Sequence, residues 1–226
     1  ERMPGLFWFT FMPYLWANGG DLLSPDGTRV VINSKAAEEA IQLWHDMANV
    51  YQVTRPSTDS SREKFRDGLD TFFVQGGDKV GSIRSFNPDL KWDVAPVPVR
   101  VEGQQPSSFI GGGTFGIMAS SRNVEAAWEV MKVFLSEEIQ VNLVPEEMGT
   151  PVHRDFLNNP YFREEPAHLK FAQAAFLPNA RTPYTTAFAS LGTIIEPFNQ
   201  AVLGQISIKE ALERMEHAAL VAIGAL

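Results

Sequence analysis

Aromatic rings crowd into residues 6–18: Phe7, Trp8, Phe9, Phe11, Tyr14 and Trp16 all precede the turn Asn18-Gly19-Gly20-Asp21. Flat apolar rings suit the C–H faces of sugars while nearby polar groups take the hydroxyls, a mixture common in small-ligand pockets. This density exceeds what one helical face buries, so part of the run is expected to meet a ligand. A second feature is Gly111-Gly112-Gly113, which bares backbone N–H groups and lets a ligand or another chain segment approach closely. Carboxylate pairs stand at Asp67/Asp70, Glu146/Glu147 and Glu164/Glu165. Glycoside hydrolysis needs two such groups converging in one cleft, whereas adjacent acids in polar segments mark a solvated face. His45, His153, His168 and His217 show no H-E-x-x-H spacing, and neither a G-x-S-x-G elbow nor a G-x-x-x-x-G-K-[ST] loop is present. The chain has no cysteine, which excludes disulfide and thiolate chemistry.

These residues must be positioned by a chain of 226 residues, 44% hydrophobic and 20% charged, the composition of an ordinary globular protein. A formal net charge of -8 argues against nucleic acid as a partner, because phosphate binding needs a cationic face. No apolar run reaches the ~18 residues that cross a bilayer. The chain opens at Glu1 without a basic or apolar leader and is expected to be a piece of something longer. Ser34 is predicted to cap a helix with the apolar stripe Ala37, Ala40, Ile41, Trp44, Ala48 and Tyr51. Asn123 is predicted to start another through Leu135, in which Trp128 is expected to be core, and Ser207 with Glu210 reads as the capping box of a third. Further helices are expected near 164–176 and 190–203, and short strands at 28–32, 71–74, 92–97 and after the triple glycine. Helices interleaved with short strands indicate an α/β protein with a helix-heavy C-terminal part.

The order of these features resembles the extracellular solute-binding proteins of carbohydrate ABC importers, of the maltose-binding type. The resemblance runs through Phe11 to Asp21 and the Ser34 helix, then Phe65-Arg66-Asp67-Gly68 and Phe72-Phe73-Val74-Gln75-Gly76-Gly77. The latter is similar to that family's F-x-x-G-x-x-x-M-x-x-x-G stretch. Val94-Ala95-Pro96-Val97-Pro98, the glycine-rich strand, Ala126-Ala127-Trp128, Ser136 to Gln140, Gly149-Thr150-Pro151 and Leu203 to Leu212 follow in the family's order. One departure is Gly77-Asp78, where the family often carries a sugar-stacking tryptophan. An acid there would bind hydroxyls or a cationic group.

The resemblance implies a two-lobe, hinge-closing fold of the type II periplasmic-binding class. The segment 1–113 would be the second-lobe core, 114–148 a strand-helix excursion to a first lobe lying upstream of this chain, and 149–226 a helical return. An excursion without that lobe would expose Val130, Met131, Phe134 and Leu135 and favour self-association. Trp8 and Phe9 would serve as stacking platforms. Gly76, Gly77 and Asp78 would hydrogen-bond the ligand, while Gly111, Gly112 and Gly113 would allow close approach at the lobe junction. Arg181 would act as a bidentate donor and Tyr184 as a further ring. The implied activity is capture of a sugar or polyol in a periplasmic or lipid-anchored extracellular setting and its delivery to an ABC permease, with no cofactor, no metal and no catalysis. The alternative is a glycoside-active α/β hydrolase using one of the carboxylate pairs.

Overall fold

A computed structural model describes residues 7–54, 61–143, 149–182 and 190–225. Its helices are α1 Met12–Ala17, α2 Lys35–Asn49, α3 Ser61–Arg66, α4 Val80–Phe86 and α5 Val124–Phe134. They continue as α6 Glu137–Asn142, α7 Tyr161–Glu164, α8 Pro166–Ala174, α9 Ile195–Val202 and α10 Ile208–Ala222. The chain divides into two compact units: residues 1–60, 97–109 and 177–226 form the first, and 61–96 and 110–176 the second.

The first unit is built on helices whose ends the sequence writes plainly. Ser34 accepts the Ala37 N–H on its Oγ at 3.3 Å and starts α2, which buries Ala37, Ala40 and Ile41. Ser207 accepts from the Glu210 N–H at 3.1 Å and starts α10, burying Ala211, Leu212, Met215 and Ala219. Each cap satisfies an N–H that has no partner inside its helix. The α2 stripe is shorter than its pattern suggests. Val50 closes the helix, Gln52 takes a left-handed φ of 53°, and Tyr51 is left 64% exposed. Helices α1, α2, α9 and α10, with the 3-10 turn Ser190–Ile194, enclose one apolar core that includes Phe11, Trp16, Ile32, Leu191 and Phe198.

Ahead of α1, residues Phe7–Phe11 wind as a π-helical turn. Within it Phe7, Trp8 and Phe11 are buried in the core, while Phe9 is 40% exposed. The Gly19-Gly20 turn then reverses the chain tightly. The Gly20 N–H donates to Leu15 O at 2.9 Å, and a Cβ at Gly20 would overlap Leu15 Cδ1 and sit 3.1 Å from Ala36 Cβ. Leu15 is fully buried and has nowhere to move. Gly20→Ala is therefore expected to cost about 1–3 kcal/mol, the usual range for overpacking, measurable by urea denaturation.

Strand pairing is sparser than the β-rich runs predict. Among the described residues it consists of two isolated bridges, Leu23 with Val30 antiparallel and Phe109 with Arg181 parallel. The segments 72–74, 92–97 and 114–118 carry no strand ladder. Extended-chain preference depends on the partner that pairs with a strand, and an isolated stretch of favourable residues does not supply one.

In the second unit, α8 is the central support. Its His168 is fully buried with the Tyr161 hydroxyl 2.8 Å from Nδ1, and Arg84 of α4 reaches Glu165 at its start at 2.5 Å. Lys170 on α8 grips Asp93 at 2.5 Å, and this hydrogen bond from the ammonium holds the Asp93 carboxyl below its ordinary range. By contrast α5 buries no residue: Trp128 is 50%, Val130 55% and Phe134 39% exposed. The expectation that Trp128 is core is thus corrected: no residue of its helix is buried, although Phe134 stacks on Phe115 at 5.2 Å.

Candidate functional site

The first unit gathers a mixed aromatic and ionic cluster around Phe9. The Phe9 ring meets Phe109 edge to face, with centroids 4.8 Å apart. Phe109 in turn lies parallel to the Trp16 indole at 6.5 Å and 10°. Beside this platform, Arg181 Nη1 donates to Asp21 Oδ2 at 2.6 Å, with the two side chains 41% and 35% exposed. Asp21 Oδ1 accepts from Trp16 Nε1 at 3.0 Å and from the Leu22 N–H at 2.8 Å. The backbone completes the arrangement. The Arg181 N–H donates to Ser108 O at 2.9 Å, Ser107 Oγ to Asn179 O at 2.5 Å and Asn179 Nδ2 to Gln105 O at 3.3 Å. Two chain passages far apart in sequence, 105–109 and 179–181, are thereby held side by side.

This cluster offers a half-exposed apolar ring next to a guanidinium and a carboxylate that neutralise each other. A planar ring stacks on the C–H face of a pyranose, and a guanidinium supplies several N–H donors to hydroxyls. Two of the expected site residues, Phe9 and Arg181, fall together here. Trp8 lies 3% exposed in the core with Phe7 edge-on at 5.2 Å, behind the platform. Asp21 and Phe109 were not singled out from the sequence. Asp21 reads there as part of a turn, and Phe109 stands two residues before the triple glycine. Tyr184 lies outside the described residues.

A second group lies in the other unit. Gly77 is buried against α8, where a Cβ would come 3.1 Å from Phe171 Cβ, and a Cβ on Gly149, at φ +108°, would come 3.3 Å from the Asp78 N. The glycines are there because Phe171 and the neighbouring backbone occupy the space a side chain would need. Asp78 is part-exposed and its carboxylate contacts Lys79 Nζ. Gly111, Gly112 and Gly113 are exposed, and a Cβ at Gly112 or Gly113 meets no atom within 4 Å.

The carboxylate pairs do not converge on a cleft among the described residues. Asp67 is exposed beside Arg66, Glu165 is occupied by Arg84, and Glu146/Glu147 lies outside the described residues. No group of three His, Asp or Glu side chains among the described residues could hold a metal.

Comparison with known proteins identifies the family and the fold. The sequence profile of the bacterial extracellular solute-binding proteins matches residues 3–141. The diacetylchitobiose binding protein DasA of Streptomyces coelicolor is 24% identical over 148 residues, which is 62% of this chain and 35% of that protein. Among solved structures, maltose-bound T. maritima MalE3 superposes with a TM-score of 0.83 at 23% identity, covering 100% of this chain and 59% of that one. An ABC transporter solute-binding protein from Thermotoga lettingae, bound with α-D-tagatose, gives 0.82 at 22% identity and covers 96% and 56%. The fold is shared with both. The chain spans about a third of the curated relative and rather more than half of these structures. The glycoside-hydrolase alternative finds no support in these relatives. With the profile running through more than half of its length, from the aromatic run past the glycine-rich segment and into α6, the chain belongs to the bacterial extracellular solute-binding proteins.

Proposed function

We propose that the protein is the solute-binding component of an ABC importer, which captures a sugar or related polar solute outside the cytoplasmic membrane and delivers it to a membrane permease. The observation that carries this reading is Phe9, a 40% exposed ring backed by Phe109 and flanked by the Arg181–Asp21 pair. An exposed ring held rigidly from behind gives up little conformational freedom on stacking against a sugar. In this reading the fold is the α/β, two-lobe, hinge-closing type, with most of the chain in the second lobe and residues 114–148 making a strand-helix excursion. The unburied α5 supports that excursion. The ligand is bound and released unchanged.

The test is a thermal-shift series with maltose, D-tagatose and N,N′-diacetylchitobiose, the solutes named for the relatives. A ligand that binds the native state alone stabilises it by about 2.7 kcal/mol at a hundredfold excess over Kd. A saturable rise in Tm with one of them, and chromatographic recovery of the intact sugar, is the expected result. Flat curves for a folded sample, or release of a cleaved product, would overturn the reading.

A further inference from the structure

We infer that Asp21 is the positioning residue of the Phe9 platform, holding Arg181 and Phe109 in place without itself touching the ligand. The inference rests on the sugar-binding reading above. Asp21 receives bonds on both carboxylate oxygens: Oδ1 takes the Trp16 indole N–H at 3.0 Å and the Leu22 N–H at 2.8 Å, and Oδ2 takes Arg181 Nη1 at 2.6 Å. A carboxylate offers about four acceptor sites, so three filled sites leave little for a ligand hydroxyl. Arg181 is in the opposite situation. One of the roughly five N–H donors of a guanidinium meets Asp21, and the side chain stays 41% exposed.

The position of Asp21 explains why it governs both halves of the platform. Through Arg181 it anchors the residue that bridges Phe109, the ring on which Phe9 rests at 4.8 Å. Through Trp16 it fixes the indole lying parallel to Phe109. A single carboxylate thus ties the Gly-Gly turn after α1 to the paired passages 105–109 and 179–181. The pair also cancels its own charge, so Arg181 presents donors without a net positive field. This arrangement suits the oxygens of an uncharged ligand.

The experiment is a double-mutant cycle in ligand affinity. Wild type, Asp21→Asn, Arg181→Gln and the double variant are titrated by calorimetry with whichever of maltose, D-tagatose or N,N′-diacetylchitobiose the wild type binds. Asp21→Asn keeps an oxygen for Trp16 and Leu22 and so retains the fold, which its Tm confirms. Its amide replaces the charged acceptor of Arg181. Affinity is expected to fall about tenfold in each single variant, the loss of one charge-assisted hydrogen bond. The double variant is expected to bind no more weakly than Arg181→Gln alone, because Asp21 acts through Arg181. Arg181→Lys, which keeps the charge but not the fork, should also bind about tenfold more weakly. Multiplying losses would place Asp21 in direct contact with the ligand and overturn the inference, as would unchanged affinity in Asp21→Asn. A wild type that binds none of the three sugars overturns the sugar-binding reading and this inference together. Unaltered binding by Asp21→Asn beside a wild type that binds overturns the inference alone.

Discussion

Phe11→Ala is expected to lower the unfolding free energy by about 3–5 kcal/mol, the cost of deleting a fully buried aromatic side chain. Phe11 is 0% exposed, and its ring packs 4.4 Å from Phe198, 5.1 Å from Phe7 and 6.5 Å from Trp44. Those partners come from the π-helical turn, α2 and α9, so one truncation opens a cavity where three elements meet. Interior side chains are close-packed and relax only in part around such a hole, which is why the cost exceeds the transfer free energy of the ring. Urea denaturation should show a lower midpoint with an unchanged slope. Affinity for a sugar, measured where the variant is still folded, should stay near the wild-type value. A loss below about 1 kcal/mol would mean that the core around Phe11 is not the cooperative centre of the unit.

Phe9→Ala is expected to act on binding instead of folding. Two residues before Phe11, this ring is 40% exposed and rests on Phe109. Fully burying a phenylalanine side chain is worth about 1.5–3 kcal/mol and a ligand can cover only the 40% still exposed, so removing the ring should weaken affinity about three- to eightfold. Stability should change by less than about 1 kcal/mol, since half of the ring is already in contact with solvent. Calorimetric titration of wild type and variant, paired with their melting temperatures, separates the two effects. Phe9→Tyr should retain most of the affinity because it keeps the flat face. Unchanged affinity in Phe9→Ala would remove the platform from the ligand's path.

The contrast between these neighbours shows where reading the residues alone reaches its limit. The aromatic run is legible as too dense for one helical face, but its division into core and surface is not. At 100° per residue Phe7, Trp8 and Phe11 share one helical face with Phe9 opposite, but the residue types do not say that this segment winds at all. The tertiary structure winds the segment as a π-helical turn and turns Phe7, Trp8 and Phe11 to the core while Phe9 stays 40% exposed. Gly77 is similar: its type suggests close approach, yet only the packed helix α8 identifies Phe171 as the group that approaches. Trp128 fails in the other direction. Its amphipathic stripe is real, but a stripe states that a helix has an apolar face and not what covers it.

What the amino-acid sequence determined by itself was everything governed by neighbours within a few positions. The caps at Ser34 and Ser207 and the buried stripes of α2 and α10 follow from hydrogen bonds and a 3.6-residue period that span one or two turns. The ordered motifs identified the solute-binding family on the same local footing. The tertiary structure alone decided the pairing of Asp21 with Arg181, 160 residues apart, and the seating of Phe9 on Phe109. It also decided which extended runs found a partner. Those outcomes depend on which distant segments the collapsed core brings into reach, and no local pattern of residue types encodes that choice.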